Sequence, residues 1–330
     1  MHRTVLFVGA GFSVPAGLPL GAELMTAAGL PHSRRAAETE KRVLAAWAHW
    51  IDEHPGAAAE EFITSIFEDD SVEATALWPA LLRFIAYRIA HPFASFNVYE
   101  RQRVSRWGDT ILVSSVCEAH DRWWELLLGL TGGGSGLTVL TTNWDILVER
   151  ALRPFPTERP RRPGFHYGRG PERVRASSAF PHAPWRRDPR ISGSVPVLKL
   201  HGSLNWSVED GLLVRYGDLR PAFRGDAAIV PPVTNKKPPG WARDLWLLAR
   251  EALASARCIL LVGYSVPQYD ESVCELIREG LTSSGARVHV FDPAGDVVRS
   301  RVLALVPSLE VTVHSGLPEG TPELASCFSQ

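Results

Sequence analysis

Val5–Pro19 reads VLFVGAGFSVPAGLP, an apolar run that passes straight into a glycine turn. Val5 to Val8 are β-prone and uniformly apolar, as in a strand buried on both faces. Gly9-Ala10-Gly11 then lets the backbone turn without side chains standing in the way of a ligand. A glycine turn after a first strand, opening toward a helix N-terminus, offers backbone N–H donors and a positive dipole end to an anion. The stretch therefore predicts the first strand of an α/β sheet with a phosphate-sized space at its end, and Ser13 adds a hydroxyl at the rim. The G-x-G-x-x-G dinucleotide fingerprint needs glycine at position 14, where this chain has Val14, so the pattern speaks against ordinary hydride transfer.

Working outward, the 330 residues suit two domains or one core with a large insertion. With 35 basic and 36 acidic residues the chain has no global pull toward nucleic acid or an anionic membrane. Only Lys41, Lys199, Lys236 and Lys237 are lysines, a bias better explained by a GC-rich coding sequence than by recognition chemistry. No apolar run approaches the roughly 18 to 20 residues that span a bilayer, and Met1-His2-Arg3 leads almost at once into the first strand, so neither a membrane span nor a signal peptide is expected. Cys117, Cys258, Cys274 and Cys327 are far apart with no C-x-x-C, which predicts reduced thiols in the cytoplasm and neither a zinc ribbon nor a disulfide framework.

After Leu20-Gly21 the pattern turns helical for about a hundred residues. Helices are predicted over Arg34–Trp50, Glu60–Phe67, Ala74–Ile89 and Thr110–Leu130; the third places Leu77, Leu81, Leu82, Ile85 and Ile89 on one face. Gly132–Gly136 returns the chain to the sheet. The domain reading is thus a Rossmann-like domain from residues 1–20 and 137–330, interrupted by a mainly helical insertion over 21–136. Leu137–Leu140 is the next strand and ends in Thr141-Thr142-Asn143-Trp144-Asp145, where Asn143 or Asp145 serves either as a helix N-cap or as a ligand contact. Residues 153–190 hold ten arginines against three acids, either a solvated surface, a phosphate contact or a lid. Strands follow at Val195–Leu200, running into His201-Gly202-Ser203, at Leu212–Tyr216, at Cys258–Val262, ending in Gly263-Tyr264-Ser265, at Arg287–Phe291, ending at Asp292, and near Glu310–His314. Helices between them complete a doubly wound parallel sheet. The rings of Trp144 and Tyr264 belong either to the core or beside a planar ligand.

In such a sheet the strand ends face one crevice, so five distant motifs meet. Their order, G-A-G-x-S with Gly17-Leu18-Pro19 after it, T-x-N-x-D, a histidine-glycine pair and G-x-S, resembles the sirtuin superfamily over nearly the whole chain. The chain departs from the deacylases of that family in lacking Phe-Arg after the G-x-P, in having Thr142 where they have glutamine, in having no zinc-binding cysteine cluster, and in having Asp292 near the adenosine position. The wording TTNWD, LKLHGSLNW, IVPP and LLVGYSVPQYD is more similar to the bacterial, zinc-less sirtuin-like NAD hydrolases of anti-phage defence.

The resemblance implies a Rossmann-like, sirtuin-type fold with a helical insertion and no zinc module. It implies that NAD is the substrate, with no metal: Gly9, Ala10, Gly11 and Ser13 at the pyrophosphate, Thr142 beside them, Gly263 and Ser265 on the adenosine side, and Asp292 at ribose hydroxyls. Asn143 would position the nicotinamide ribose and a water, Asp145 would lie near the carboxamide, and His201 would act as general base, for which an imidazole is suited near neutrality. It further implies gating, by homo-oligomer assembly or by a partner such as a translocase ATPase or an Argonaute-like protein. Two alternatives stand beside NAD hydrolysis: acyl-lysine removal or ADP-ribosyl transfer, and a non-catalytic sensor or scaffold that binds NAD or ADP-ribose.

Overall fold

The computed structural model describes residues 3–26, 34–100, 124–125, 127–129, 131, 136–152, 165–168, 173–175, 194–216, 219–234, 236–315 and 327. Cys117, the Gly132–Ser135 connection and most of the Thr110–Leu130 helix and of the basic stretch 153–190 lie outside them.

The apolar runs read from the sequence become six strands of a seven-stranded parallel sheet, to which Phe165–His166, not read as a strand, adds the seventh. In chain order they are β1 (Thr4–Val8), β2 (Leu137–Thr141), β3 (Phe165–His166), β5 (Val195–Lys199), β9 (Cys258–Val262), β10 (Arg287–Phe291) and β11 (Val311–His314). The order across the sheet is β11-β10-β9-β1-β2-β5-β3. The chain passes from β1 to β2 and out to the edge strand β3, fills the gap between them with β5, then returns to the other side of β1 at β9 and continues to β10 and β11. The strand order therefore reverses between β1 and β9, the place where open α/β sheets form a ligand crevice. Every residue of β1 and β9 is buried, as expected of central strands covered on both faces.

A second sheet, not expected from the sequence, is built mostly from strands that come after His201, joined by one that precedes β5 in the chain. It contains β4 (Arg173–Arg175), β6 (Gly202–Glu209), β7 (Leu212–Tyr216) and β8 (Ala227–Ile229), in the order β4-β7-β6-β8. β6 and β7 form a hairpin in which Glu209 faces Leu212 across a two-residue turn. Asp210 and Gly211 make that turn with φ of 51° and 77°, the left-handed pair that a primed hairpin turn requires.

The helices α1 (Arg34–Glu53), α2 (Ala59–Glu68) and α3 (Val72–Glu100) follow the first glycine loop. On α3, Leu77, Leu81, Ile85 and Ile89 are buried as their spacing predicts, while Leu82 is half-buried and Phe84 fills the core beside them. This helical core is continuous with Leu18, Trp144, Ile146, Leu204 and Val233, so these helices pack directly on the loops at the C-terminal edge of the large sheet. Further helices are α4 (Leu147–Leu152), α5 (Arg220–Arg224), α6 (Arg243–Ala254), α7 (Glu271–Ser284) and α8 (Gly295–Leu305), and residues 124–125 and 127–129 are also helical. Among the described residues no helix is long and apolar enough to cross a membrane.

Candidate functional site

Strand register brings the five motifs to one edge. Val8 pairs with Thr141 on one side and with Val262 on the other, Thr141 pairs with Lys199, and Phe291 pairs with Val262. Gly9, Thr142, Leu200, Gly263 and Asp292 are each the next residue, so they stand level on five consecutive strands. Asn143 and His201 each lie two residues beyond paired positions of adjacent strands. Their loops are tied together by Leu200 N–H donating to Thr141 O (2.9 Å) and Leu204 N–H donating to Trp144 O (2.9 Å).

At the switch point the glycine turn does not open into an α-helix. Ala10–Ala16 is a 3₁₀ helix closed by Gly17 at φ 77°. Pro15 lies within it, and a proline there lacks the N–H and crowds the carbonyl that a regular α-helical turn would need. The glycines also have a packing task. A Cβ on Gly9 would lie 2.5 Å from Gly263 O and Tyr264 Cα, and one on Gly263 would lie 2.2 Å from Phe12 N. Gly263 sits at φ 58°, and Gly11 N–H donates to Gly263 O at 2.9 Å. Close approach of the β1 and β9 loops accounts for glycine at all three positions.

Between β1 and β2, a chain of hydrogen bonds fixes Asn143. Its Nδ2 donates to Gly9 O (2.8 Å) and to Ser13 Oγ (3.0 Å). Ser13 Oγ in turn donates to Asp145 Oδ2 at 2.7 Å, while Asp145 Oδ1 accepts from Leu147 N–H at 2.9 Å and so caps α4. Ser13 and Asp145 are buried and Asn143 is half-buried. With both amide hydrogens engaged, the Asn143 Oδ1 acceptor is the atom left for a ligand. Both carboxylate oxygens of Asp145 are held by protein donors, so this carboxylate acts on Asn143 through Ser13. Asp145 is thus both the cap and a member of the site network.

His201 is buried beside two residues that sequence reasoning did not single out for the site. Its Nε2 lies 3.3 Å from Asp270 Oδ2, and Lys236 Nζ lies 3.3 Å from the same oxygen. Burial, and then the Lys236 charge, lower the His201 pKa, with Asp270 pulling the other way. Burial alone would raise Asp270, but His201 and Lys236 beside it outweigh that and hold the carboxyl below its usual range. Burial lowers Lys236 despite Asp270 and Glu60. Between Ser265 and Asp270 the backbone is strained: Val266, buried and β-branched, has φ 49°, a conformation that such residues adopt only where surroundings impose it.

The other candidate positions lie around this centre. Ala10 and Ser265 are exposed, Thr142 and Asp292 half-buried. Asp292 Oδ1 accepts from Ala294 N–H at 2.8 Å, at the start of α8, and Ser265 O accepts from Arg301 at 2.7 Å. The rings of Trp144 and Tyr264 are buried, Tyr264 against Phe7 with centroids 4.6 Å apart, so both belong to the cores. Beneath the loops lies a further charged group: Lys199, 1% exposed, is 3.1 Å from Glu149 and also donates to Asp145 O, and Tyr167 OH donates to Glu149. A lysine ending an otherwise apolar strand was the available signal. One group among the described residues has donor atoms close enough to hold a metal ion, His289, His314 and Cys327, within 4.8 Å of one another. It involves β10 and β11, away from β2 and β5.

No protein-family model matches the chain, and no curated protein matches it. Among solved structures it is similar to a mutant Sir2 homologue in complex with 2'-O-acetyl ADP ribose, at 15% identity over 99% of this chain and 94% of that one, TM-score 0.48. It is similar also to a Sir2 homolog–NAD complex, at 16% identity over 98% of this chain and 88% of that one, TM-score 0.47. A third is Sir2 with the inhibitor EX-527, 2'-O-acetyl-ADP-ribose and a deacetylated p53 peptide, at 17% identity over 92% and 93%, TM-score 0.37.

Proposed function

We propose that this protein is an NAD glycohydrolase, cleaving NAD to nicotinamide and ADP-ribose, and that it is a gated cytoplasmic effector of bacterial anti-phage defence. The observation that carries the reading is the Asn143–Ser13–Asp145 network at the end of β2, beside the strand end that bears His201. Breaking the N-glycosidic bond needs little nucleophilic force, because nicotinamide departs neutral while the ribose gains oxocarbenium character. The protein then has to orient, to place negative or hydrogen-bonding charge, and to hold a water on the open face. Asn143 Oδ1, with its amide hydrogens already engaged, holds the water or a ribose hydroxyl. The His201 ring takes a proton from a ribose hydroxyl or from the attacking water.

In this reading the diphosphate lies along Gly9–Ser13, the adenosine half beyond β9 near Ser265 and Asp292, and Thr142 borders the ribose. Sequence resemblance to the sirtuin-like NAD hydrolases of defence systems supports hydrolysis over acyl transfer. Depletion of NAD is lethal when unchecked, so activity waits on homo-oligomer assembly or on a partner, an ATPase or Argonaute-like protein being the kinds the resemblance suggests. Purified wild type is incubated with NAD, alone and with each trigger, beside Asn143→Ala and His201→Ala. Nicotinamide release by wild type, reduced about 10²-fold or more in His201→Ala, supports the reading. Absence of release under every activating condition overturns it.

A further inference from the structure

Three separate stretches bring buried titratable side chains together at one point. His201 follows β5, Lys236 comes from the loop after β8, and Asp270 ends the strained loop after β9. Their side chains are 6%, 6% and 3% exposed. Burying a carboxylate and an ammonium is costly unless each is paired, and here Asp270 Oδ2 is shared at 3.3 Å by Lys236 and by His201. Two atoms of the group remain without a hydrogen bond: His201 Nε2 and Asp270 Oδ1. The His201–Asp270 contact is therefore within ion-pair distance but off the line of a formed hydrogen bond. Hydrogen bonds of catalytic groups are often long or poorly aligned until substrate engages them.

We propose that Asp270 is a positioning residue for His201: it accepts the Nε2–H, which leaves Nδ1 as the basic nitrogen facing the substrate, and Lys236 keeps Asp270 ionised for that task. The proposal rests on the NAD-cleaving reading given above and adds to it the residues that set the tautomer and basicity of the base. In the step, Nδ1 forms a bond to the hydroxyl hydrogen, the O–H bond breaks, and its electron pair stays on the oxygen. The ring becomes imidazolium, and the Asp270 carboxylate lies against its Nε2–H. The loop strain at Val266 is consistent with a backbone bent to deliver Asp270 to this place.

Among the described residues, titratable groups from α2, the loop after β9 and α7 face this cluster. Glu60 of α2 acts on Lys236 and accepts from Tyr269 OH at 3.3 Å. Tyr264 and Tyr269 of the loop after β9 face Asp270, as does Cys274 of α7, and all three are raised above their usual values, first by burial. Those three stay neutral near pH 7, so the ionic partners that decide the His201 equilibrium are Asp270 and Lys236. Their effects on it have opposite sign: Asp270 raises the His201 pKa and Lys236 lowers it.

The test is the His201 titration, read from its imidazole Cε1–H signal by NMR, together with the pH profile of nicotinamide release, in wild type, Asp270→Asn and Lys236→Met. The expected result is that the titration moves down in pH in Asp270→Asn and up in Lys236→Met, and that the acidic limb of the rate profile moves with it. Asp270→Asn is expected to lower kcat about 10²-fold or more with KM for NAD little changed, and Lys236→Arg to restore most of what Lys236→Met loses. An unmoved His201 titration in both variants, or a rise in KM with kcat intact in Asp270→Asn, overturns the proposal. The two layers separate: opposite titration shifts in a protein that never cleaves NAD contradict the glycohydrolase reading alone, whereas normal cleavage with no shifts contradicts the positioning role alone. Should Asp270→Asn fail to fold, Asp270→Ser is read in its place, with the same downward shift expected and an unmoved titration overturning the proposal.

Discussion

Gly263→Ala perturbs the crevice while leaving every polar side chain in place, and a second glycine supplies its control. Gly263 and Gly285 have nearly the same left-handed backbone, φ 58° and 59°. A methyl group on Gly285 meets nothing within 4 Å, whereas one on Gly263 meets Phe12 N at 2.2 Å and Gly11 C at 2.5 Å. Both substitutions carry the left-handed penalty of about 1–2 kcal/mol for an L-residue. Only Gly263→Ala adds a clash, and it is backbone against backbone, so no side chain can turn away. Cβ atoms essentially never approach heavy atoms closer than 3.0 Å, so the β1 and β9 loops have to part by about 0.8 Å. Overpacking of this sort costs about 1–3 kcal/mol, which puts Gly263→Ala at about 2–5 kcal/mol and Gly285→Ala at about 1–2 kcal/mol. A displacement near 1 Å at a reacting centre costs on the order of 10²-fold in rate. Urea unfolding and nicotinamide release are measured on both variants. Equal losses of stability with unchanged turnover in Gly263→Ala would refute the claim that these loops touch and that their contact shapes the site.

Three further outcomes follow from the same geometry. Ser13→Ala leaves the buried Asp145 Oδ2 without its donor and is expected to cost about 1–3 kcal/mol in urea unfolding, along with a fall in NAD turnover as Asn143 loses one of its two acceptors. Lys199→Met strips the buried Glu149 of its cation and is expected to destabilise by about 3–5 kcal/mol, most of it recovered in the double variant Lys199→Met/Glu149→Gln, as a double-mutant cycle by urea titration will read. His289 is lowered from 6.5 to about 4 by burial first, then by His314 and Arg287. Across that window the unfolded chain takes up a proton that the folded one refuses, so this contribution is fully present above about pH 6.5 and is lost as pH falls toward about 4. Stability measured against pH is expected to decline less steeply there in His289→Phe.

Much of the large sheet was legible because its central strands are uninterrupted apolar runs, Val5–Val8 and Cys258–Val262, which a parallel sheet buries on both faces. The polar motifs at their ends were legible for a related reason: in a parallel sheet the ends share one edge. The second sheet escaped because Gly202–Glu209 mixes glycine, serine and asparagine with apolar residues and shows no clean alternation. Its own signal was the Asp210-Gly211 pair, a two-residue hairpin turn in sequence terms, and only Leu212–Tyr216 was read as a strand. The α-helix expected after the glycine turn failed on Pro15, whose effect is local and visible in the sequence.

The partners of His201 were out of reach for a different cause. Lys236 and Asp270 are separated from it by 35 and 69 residues, and nothing in either neighbourhood marks it as a neighbour of an imidazole. Lys236 stands in a Pro-rich loop, and Asp270 sits where a helix N-cap is the ordinary expectation before α7. Nor could spacing reveal that Gly9, Gly11 and Gly263 need each other, since that requirement arises only when the β1 and β9 loops meet.

The claim on which the account stands is that Asn143 and His201 face one sugar below a diphosphate at the β1–β9 switch point. The most direct measurement is the structure of Asn143→Ala with NAD bound. The account expects the diphosphate on Gly9–Ser13 and the nicotinamide ribose within hydrogen-bonding distance of the His201 ring. NAD bound away from that crevice, or with its nicotinamide ribose remote from His201, would contradict it.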